Sequence, residues 1–131
     1  MGNSQSNIVV NFEDTVHAAS NKGRFLIITT LPNDGGGLIE GTVDPEREVV
    51  EIERLISTNL DIRIIVYGAN ATDRSVVAKQ SQLSGLGFSN VSIYAGGIFE
   101  WLLLQDVYGI ESFPTTKPTI DMLKYKGSRT F

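Results

Sequence analysis

Two spacings of apolar residues alternate along this chain. Residues 7–11, 25–30, 62–67 and 91–94 are short runs rich in Ile, Val, Leu, Phe and Tyr, with the continuous, β-branched character of strands buried in a sheet. Between them the apolar positions take helical spacing. Val16 and Ala19 mark a brief helix over 13–21, and Val76, Val77, Ala78 and Leu83 mark another over 75–86, closed by Gly85 and Gly87 in its cap region. Asp44-Pro45 supplies an N-cap with proline at the first helical position. The helix that follows runs Val49, Val50, Ile52, Glu53, Leu55 and Ile56 down one face and Glu46, Arg47, Glu51 and Arg54 down the other. A last helix over 98–108 is apolar nearly all round, through Phe99, Trp101, Leu102, Leu103 and Leu104, and reads as mostly buried, with Trp101 and Leu103 in the core. The stretch 31–37, ending in three glycines, reads as a flexible loop; 38–42 reads as a short extended piece.

Strands alternating with helices at this spacing predict one α/β domain, a mostly parallel sheet with helices on both faces joined by right-handed crossovers. The chain divides into a flexible N-terminus over 1–7, the domain over 8–113 and a tail over 114–131. There is no repeat and no second domain.

Composition narrows the chemistry. A length of 131 residues with 41% hydrophobic content is enough for one real core. The net charge of −4, with Lys and Arg scattered among a larger number of carboxylates, disfavours a nucleic-acid partner. There is no cysteine, so the chain has no disulfide framework, no thiolate metal site and no thiol nucleophile. The longest apolar stretches, 25–30 and 101–104, fall far short of the ~20 residues that span a bilayer. No basic segment followed by an apolar one opens the sequence, so the expected location is cytoplasmic.

In an open α/β sheet, ligands gather at the carboxyl ends of strands, where helix N-termini present N–H groups to anions. Gly68, Ala69, Asn70, Ala71, Thr72, Asp73 and Arg74, then Ser75, occupy that place. Here the chain resembles the rhodanese-like domain family. The resemblance is carried by Ile64-Ile65-Val66-Tyr67, the loop ending Arg74-Ser75, the helix running to Leu83, the phrase from Gly85 to Val91, and Gly96-Gly97 followed by Trp101. It covers roughly residues 8–113 and is most specific over 67–101. The stretch 97–109, with Phe113-Pro114-Thr115-Thr116 and Leu123-Lys124-Tyr125-Lys126, is similar to cysteine-free rhodanese-like proteins of protists and large DNA viruses.

The resemblance implies a five-stranded, mostly parallel sheet flanked by helices, and a nucleophilic cysteine directly after the strand. Gly68 stands at that position. A sulfurtransferase needs the thiolate to carry sulfane sulfur, and the related phosphatases and arsenate reductases need it to attack phosphorus or arsenic. Glycine does neither, and no other cysteine exists to replace it. The loop from Gly68 to Arg74 resembles the longer loop of the phosphatase branch, so an anion site built on its N–H groups and Arg74 could survive the loss of the nucleophile. Asp73 argues against that, and the bland alternative makes the loop a vestige in which Arg74 forms a helix-start or surface ion pair. Thr29 and Thr30 stand where relatives often carry an acidic residue.

Met1-Gly2-Asn3-Ser4-Gln5-Ser6 fits the N-myristoylation pattern at Gly2. One myristoyl chain gives only weak membrane attachment, with an association constant of about 10⁴ per molar. Phe113, Tyr125 and Phe131 are aromatic residues among polar ones; they pack back on the domain or dock a partner. His17 is the lone histidine and has no partner for base catalysis; Glu40, Asp44 and Glu46 read as helix-start charges rather than a metal site, and no cofactor is implied. The expectation is a catalytically inactive rhodanese-like domain that binds another protein, with an anion receptor as the alternative.

Overall fold

The computed structural model describes residues 8–119 and 121–129. Four strands, β1 (Val9–Val10), β2 (Phe25–Thr29), β3 (Arg63–Tyr67) and β4 (Asn90–Tyr94), form a wholly parallel sheet in the order β1-β4-β3-β2. The helices are α1 (Phe12–Ala19), α2 (Glu48–Thr58), α3 (Ser75–Gly85) and α4 (Gly97–Tyr108), with short 3₁₀ turns at Pro45–Arg47 and Met122–Tyr125. α1 starts at a reciprocal cap in which Asn11 Oδ1 accepts from the Asp14 N–H and Asp14 Oδ2 accepts from the Asn11 N–H, each at 3.0 Å. α3 ends in a Schellman closure, with the Phe88 N–H on the Leu83 carbonyl and the Gly87 N–H on that of Ser84.

Neighbouring strand residues point to opposite faces, so the sheet divides its side chains by parity. Ile27, Ile65, Tyr67 and Tyr94 join Ile98, Trp101 and Leu102 of α4 and Ala18 of α1 in one core. Ile28, Ile64, Val66, Val91 and Ile93 join Ile52 and Leu55 of α2 and Val76 and Leu83 of α3 in the other. The expected single α/β domain with helices on both faces is what the chain forms.

The fifth strand is reduced to a bridge. Thr42 pairs with Ile27 of β2, while the Thr42 N–H and Oγ1 both turn back to the Ile39 carbonyl, at 3.0 and 2.6 Å. Residues 39–42 thus close a turn and spend locally the hydrogen bonds that would extend a ladder. Tyr67 pins this turn, accepting from the Ile39 N–H at 3.1 Å and lying 2.8 Å from Thr42 Oγ1. Burial, partly offset by those hydrogen bonds, pushes its phenol up to about 12.

The helices bury narrower faces than their apolar patterns offer, and on α4 this corrects the expectation of a mostly buried helix with Leu103 in the core. Only Ile52 and Leu55 of α2 are buried; Val49, Val50 and Ile56 lie in solvent, because one helix on a flat sheet has room to bury a narrow stripe. On α3 the inward stripe is Val76, Gln80 and Leu83, not Val77 and Ala78: the Gln80 amide is buried and donates to the Val91 carbonyl at 2.9 Å. On α4, Ile98, Trp101 and Leu102 are buried but Leu103, Val107 and Tyr108 are exposed, since α4 too meets the sheet with one side.

The chain after α4 packs back on the domain. Phe113 is buried with its ring 5.2 Å from that of Trp101 and 5.8 Å from that of Phe12. Trp101 Nε1 donates to the Pro114 carbonyl at 3.1 Å and Gln105 Nε2 to the Phe113 carbonyl at 2.8 Å, so residues one turn apart grip the segment. Thr115 pairs antiparallel with Ile39, and Tyr125 is buried in the same core. The loop over 31–37, read from sequence as flexible, is tied to this segment: Lys117 Nζ donates to the Gly35 carbonyl at 3.0 Å and Lys124 Nζ lies 3.9 Å from Asp34 Oδ2. Phe131 lies outside the described residues.

Replacing Phe113 by Ala should cost about 3–5 kcal/mol through lost burial and the cavity left behind. The check is a urea titration followed by fluorescence of the single tryptophan, whose native emission should shift to the red; an unchanged midpoint would mean that the segment adds nothing to the core.

Candidate functional site

The carboxyl ends of β2, β3 and β4 converge on one loop, residues 68–75. Gly68 is buried at the end of β3, Ala69, Asn70 and Asp73 are half-buried, and Ala71, Thr72, Arg74 and Ser75 are exposed. Its start is fixed from α4. The Ile98 N–H donates to the Gly68 carbonyl at 3.0 Å and the Phe99 N–H to the Ala69 carbonyl at 2.9 Å. Two donors at the start of α4 are therefore spent on loop carbonyls. Gly97 makes this approach possible: its φ is +67°, and a Cβ there would lie 2.6 Å from the Gly68 carbonyl oxygen.

The interior of the loop belongs to Asp73. Its Oδ2 accepts from the Ala69 N–H at 2.8 Å, and its Oδ1 accepts from the Ser75 N–H at 3.0 Å and from Ser75 Oγ at 2.6 Å. Ser75 Oγ also lies 2.6 Å from Thr30 Oγ1, which links the carboxylate to the end of β2. Desolvation raises the Asp73 pKa, but the hydrogen bonds from Ser75 and the Ala69 N–H outweigh it and hold the carboxyl below its ordinary range. A side chain on Gly68 fits only if those of Asp73 and Thr30 move. A Cβ built there would overlap Asp73 Oδ2 and lie 2.9 Å from Thr30 Oγ1. The volume that a nucleophile after β3 would need thus holds the loop's own carboxylate.

The outer part of the loop is also occupied. The Asn70 side chain accepts from the Thr72 N–H at 2.9 Å and from Thr72 Oγ1 at 2.7 Å, and donates to the Tyr125 carbonyl at 2.8 Å. The 3₁₀ turn Met122–Tyr125 therefore lies against the mouth of the loop. Arg74 is exposed and forms no ion pair among the described residues, so the helix-start pairing expected of it is not made. Nearby, Tyr94 donates to Glu100 Oε1 at 2.6 Å, and burial followed by that carboxylate raises its pKa.

Thr30 joins the site from the end of β2, and Tyr125 and Gly97, which were not assigned to it from sequence, complete it. Asp73 was read there only as a charge unfavourable to an anion. The spacing Asp73-x-Ser75, a side-chain oxygen capping an N–H two residues on, is the local signal that it folds inward. Of the other candidates, Thr29 Oγ1 donates to the Tyr67 carbonyl at 3.2 Å, and His17 is exposed, edge-on to Phe25 at 5.6 Å. Among the described residues no group of three His, Asp or Glu could hold a metal, and no helix is long and apolar enough to cross a membrane. Gly2 lies outside the described residues.

A parallel sheet whose central strand runs into a loop folded against the start of a helix defines a class of α/β domain with its site at the strand ends. The profile of the Rhodanese-like domain family matches residues 38–104, just over half of the chain, and the chain belongs to that family. Among solved structures, the Alr3790 protein of Anabaena sp. is similar, with a TM-score of 0.59 at 22% identity over 88% of this chain and 96% of that one. The solution structure of the rhodanese-like domain of Alr3790 matches with a TM-score of 0.56 at 22% identity over 94% and 92% of the two chains. A full-length protein from Lactobacillus plantarum matches with a TM-score of 0.57 at 13% identity over 85% and 88%. These likenesses speak to the fold. No curated protein is significantly similar to the chain.

Two outcomes follow from the occupied loop. Gly68→Ala should destabilise the chain by about 1–3 kcal/mol through overpacking, and Asp73→Ala should relieve it, giving a coupling on the order of 1 kcal/mol in a double-mutant cycle. Additive effects would mean that Asp73 does not fill the space beside Gly68.

Because folding lowers the pKa of Asp73, its ionised form contributes stability that is fully present above the unfolded value of about 4 and is lost as pH falls through the folded value. Asp73→Asn should therefore lower the urea midpoint at pH 7, and the gap to wild type should narrow toward pH 3. A gap of constant size would contradict the shift.

Proposed function

We propose that this chain is a catalytically inactive rhodanese-like domain that serves as a protein-interaction or assembly module. One observation carries the reading: the position directly after β3 is Gly68, and the space beside it is filled by the carboxylate of Asp73. With no cysteine in the chain, no thiolate is present to form a persulfide, a thiophosphate ester or a bond to arsenic. The same carboxylate weighs against the alternative, a receptor for phosphate, sulfate or a phosphorylated group at residues 68–75. An incoming oxyanion would meet a negative charge that already accepts the N–H groups of Ala69 and Ser75. Arg74, exposed and in no ion pair among the described residues, is the feature that favours the alternative, and its replacement separates the two readings.

The module acts in the cytoplasm on this reading, and a myristoyl group on Gly2 would add a weak tether to a membrane surface. The tether needs a second contact to hold, which a protein partner supplies.

The test is affinity purification from the native cell of wild type and Arg74→Ala, with mass spectrometry of the co-purifying proteins and of the N-terminal peptide. A discrete partner at equal yield from both forms is the expected result. Loss of the partner with Arg74→Ala would transfer the function to the loop and make a phosphorylated ligand the first to seek. A thiosulfate-to-cyanide sulfur-transfer assay should give no thiocyanate above background, and turnover by the wild type would overturn the reading. Gly68→Cys alone should remain inactive, because the Asp73 carboxylate, held by the Ala69 and Ser75 N–H groups, occupies the space that the new side chain needs.

A further inference from the structure

The face of the sheet that carries α2 and α3 leaves an apolar groove between the two helices. Ile52 and Leu83 form its buried floor, and Val49, Ile56 and Leu86, exposed to 68%, 37% and 43%, line its sides. Its volume is about 200 Å³, room for a bulky apolar side chain. An ion pair ties the helices across it, Lys79 Nζ to Glu48 Oε2 at 2.6 Å, with both side chains largely withdrawn from solvent. Glu53, also on the lining, has no cation within ion-pair distance among the described residues. The charge of the groove is therefore unbalanced: Lys79 is spent on Glu48, and Glu53 remains. Further along α2, Glu51 is matched by Arg54, so Glu53 carries the uncompensated charge beside the groove.

We infer that this groove docks a basic amphipathic helix of a partner protein, a large apolar residue of that helix seated between α2 and α3 and a Lys or Arg one turn away paired with Glu53. The inference rests on the interaction-module reading and supplies its surface. An apolar stripe laid into a groove between helices is a common mode of peptide capture, with anchors spaced three or four residues apart. Anchors seated in such a groove supply affinity, and the charge on its rim sets which partner is accepted.

The probes are two synthetic helical peptides with leucine at positions i, i+3, i+4 and i+7, one with lysine and one with glutamate on the polar face, titrated into the ¹⁵N-labelled full chain and read by amide shifts. The lysine peptide should shift residues of α2 and α3 and bind at least about tenfold more tightly than the glutamate peptide, as expected for one well-placed ion pair plus its neighbours. Glu53→Lys should invert that preference, and Leu86→Asp, at an exposed position, should weaken binding about tenfold or more with an unchanged circular dichroism spectrum. Equal affinities for the two peptides, no shifts, or shifts centred on α4 would overturn the proposal. So would concentration-dependent dimerisation abolished by Leu86→Asp, which would make a second copy the occupant. A partner recovered from the cell equally by wild type and Leu86→Asp would remove the groove while leaving the interaction module standing. Selective peptide capture with no cellular partner would do the reverse.

Discussion

Two backbone hydrogen bonds, from the Ile98 and Phe99 N–H groups of α4 to the carbonyls of Gly68 and Ala69, hold β3, β4 and α4 in one relation. They need the two segments at contact distance, which only a residue without Cβ at position 97 allows. The consequences run in both directions along the chain. On one side, α4 is placed so that Trp101 and Gln105 reach the segment over 113–115 and draw the tail onto the domain. On the other, the loop after β3 leaves the sheet with its carbonyls turned to α4 and the Ala69 N–H turned toward Asp73.

This arrangement explains how the loop after β3 is held in place around a glycine at position 68. A loop that curls its N–H groups inward needs an acceptor there, since unpaired backbone donors withdrawn from water are costly. Asp73 supplies that acceptor from within the chain, and Ser75 and Thr30 fasten it to the end of β2. The tail closes the outer side through Asn70 and the Tyr125 carbonyl. On the outer surfaces, α2 and α4 show apolar residues that the two cores do not cover.

Much of the fold was legible in the sequence because strands buried on both faces carry a continuous apolar signal. Phe25 to Thr29 and Arg63 to Tyr67 fall within a residue of where the pattern puts them, and Asp44-Pro45 opens a helical segment as its residues indicate. The misses share a cause. Val49, Val50, Ile56, Val77 and Leu103 are apolar but exposed, and Gln80 is polar but buried, because the width of the stripe that each helix inserts is set by the sheet beneath it. Periodicity counts apolar residues; it does not measure how many the opposite surface can receive. The fifth strand failed for a related reason, since the turn over 39–42 depends on Tyr67, which is far away in sequence.

For the site, the sequence by itself determined what chemistry is absent: a chain without cysteine has no thiolate in any fold. It also located the loop, since the strand, the run of small and polar residues and the following helix are all local signals. Only the tertiary structure decided what the loop holds. The identity of Asp73 is written in the chain, but whether its carboxylate faces solvent or the space beside Gly68 depends on Thr30 and on the approach of α4 at Gly97, from two other parts of the sequence. The same holds for the groove beside Glu53: its residues lie on two helices, and their distance apart is set by the sheet on which both rest.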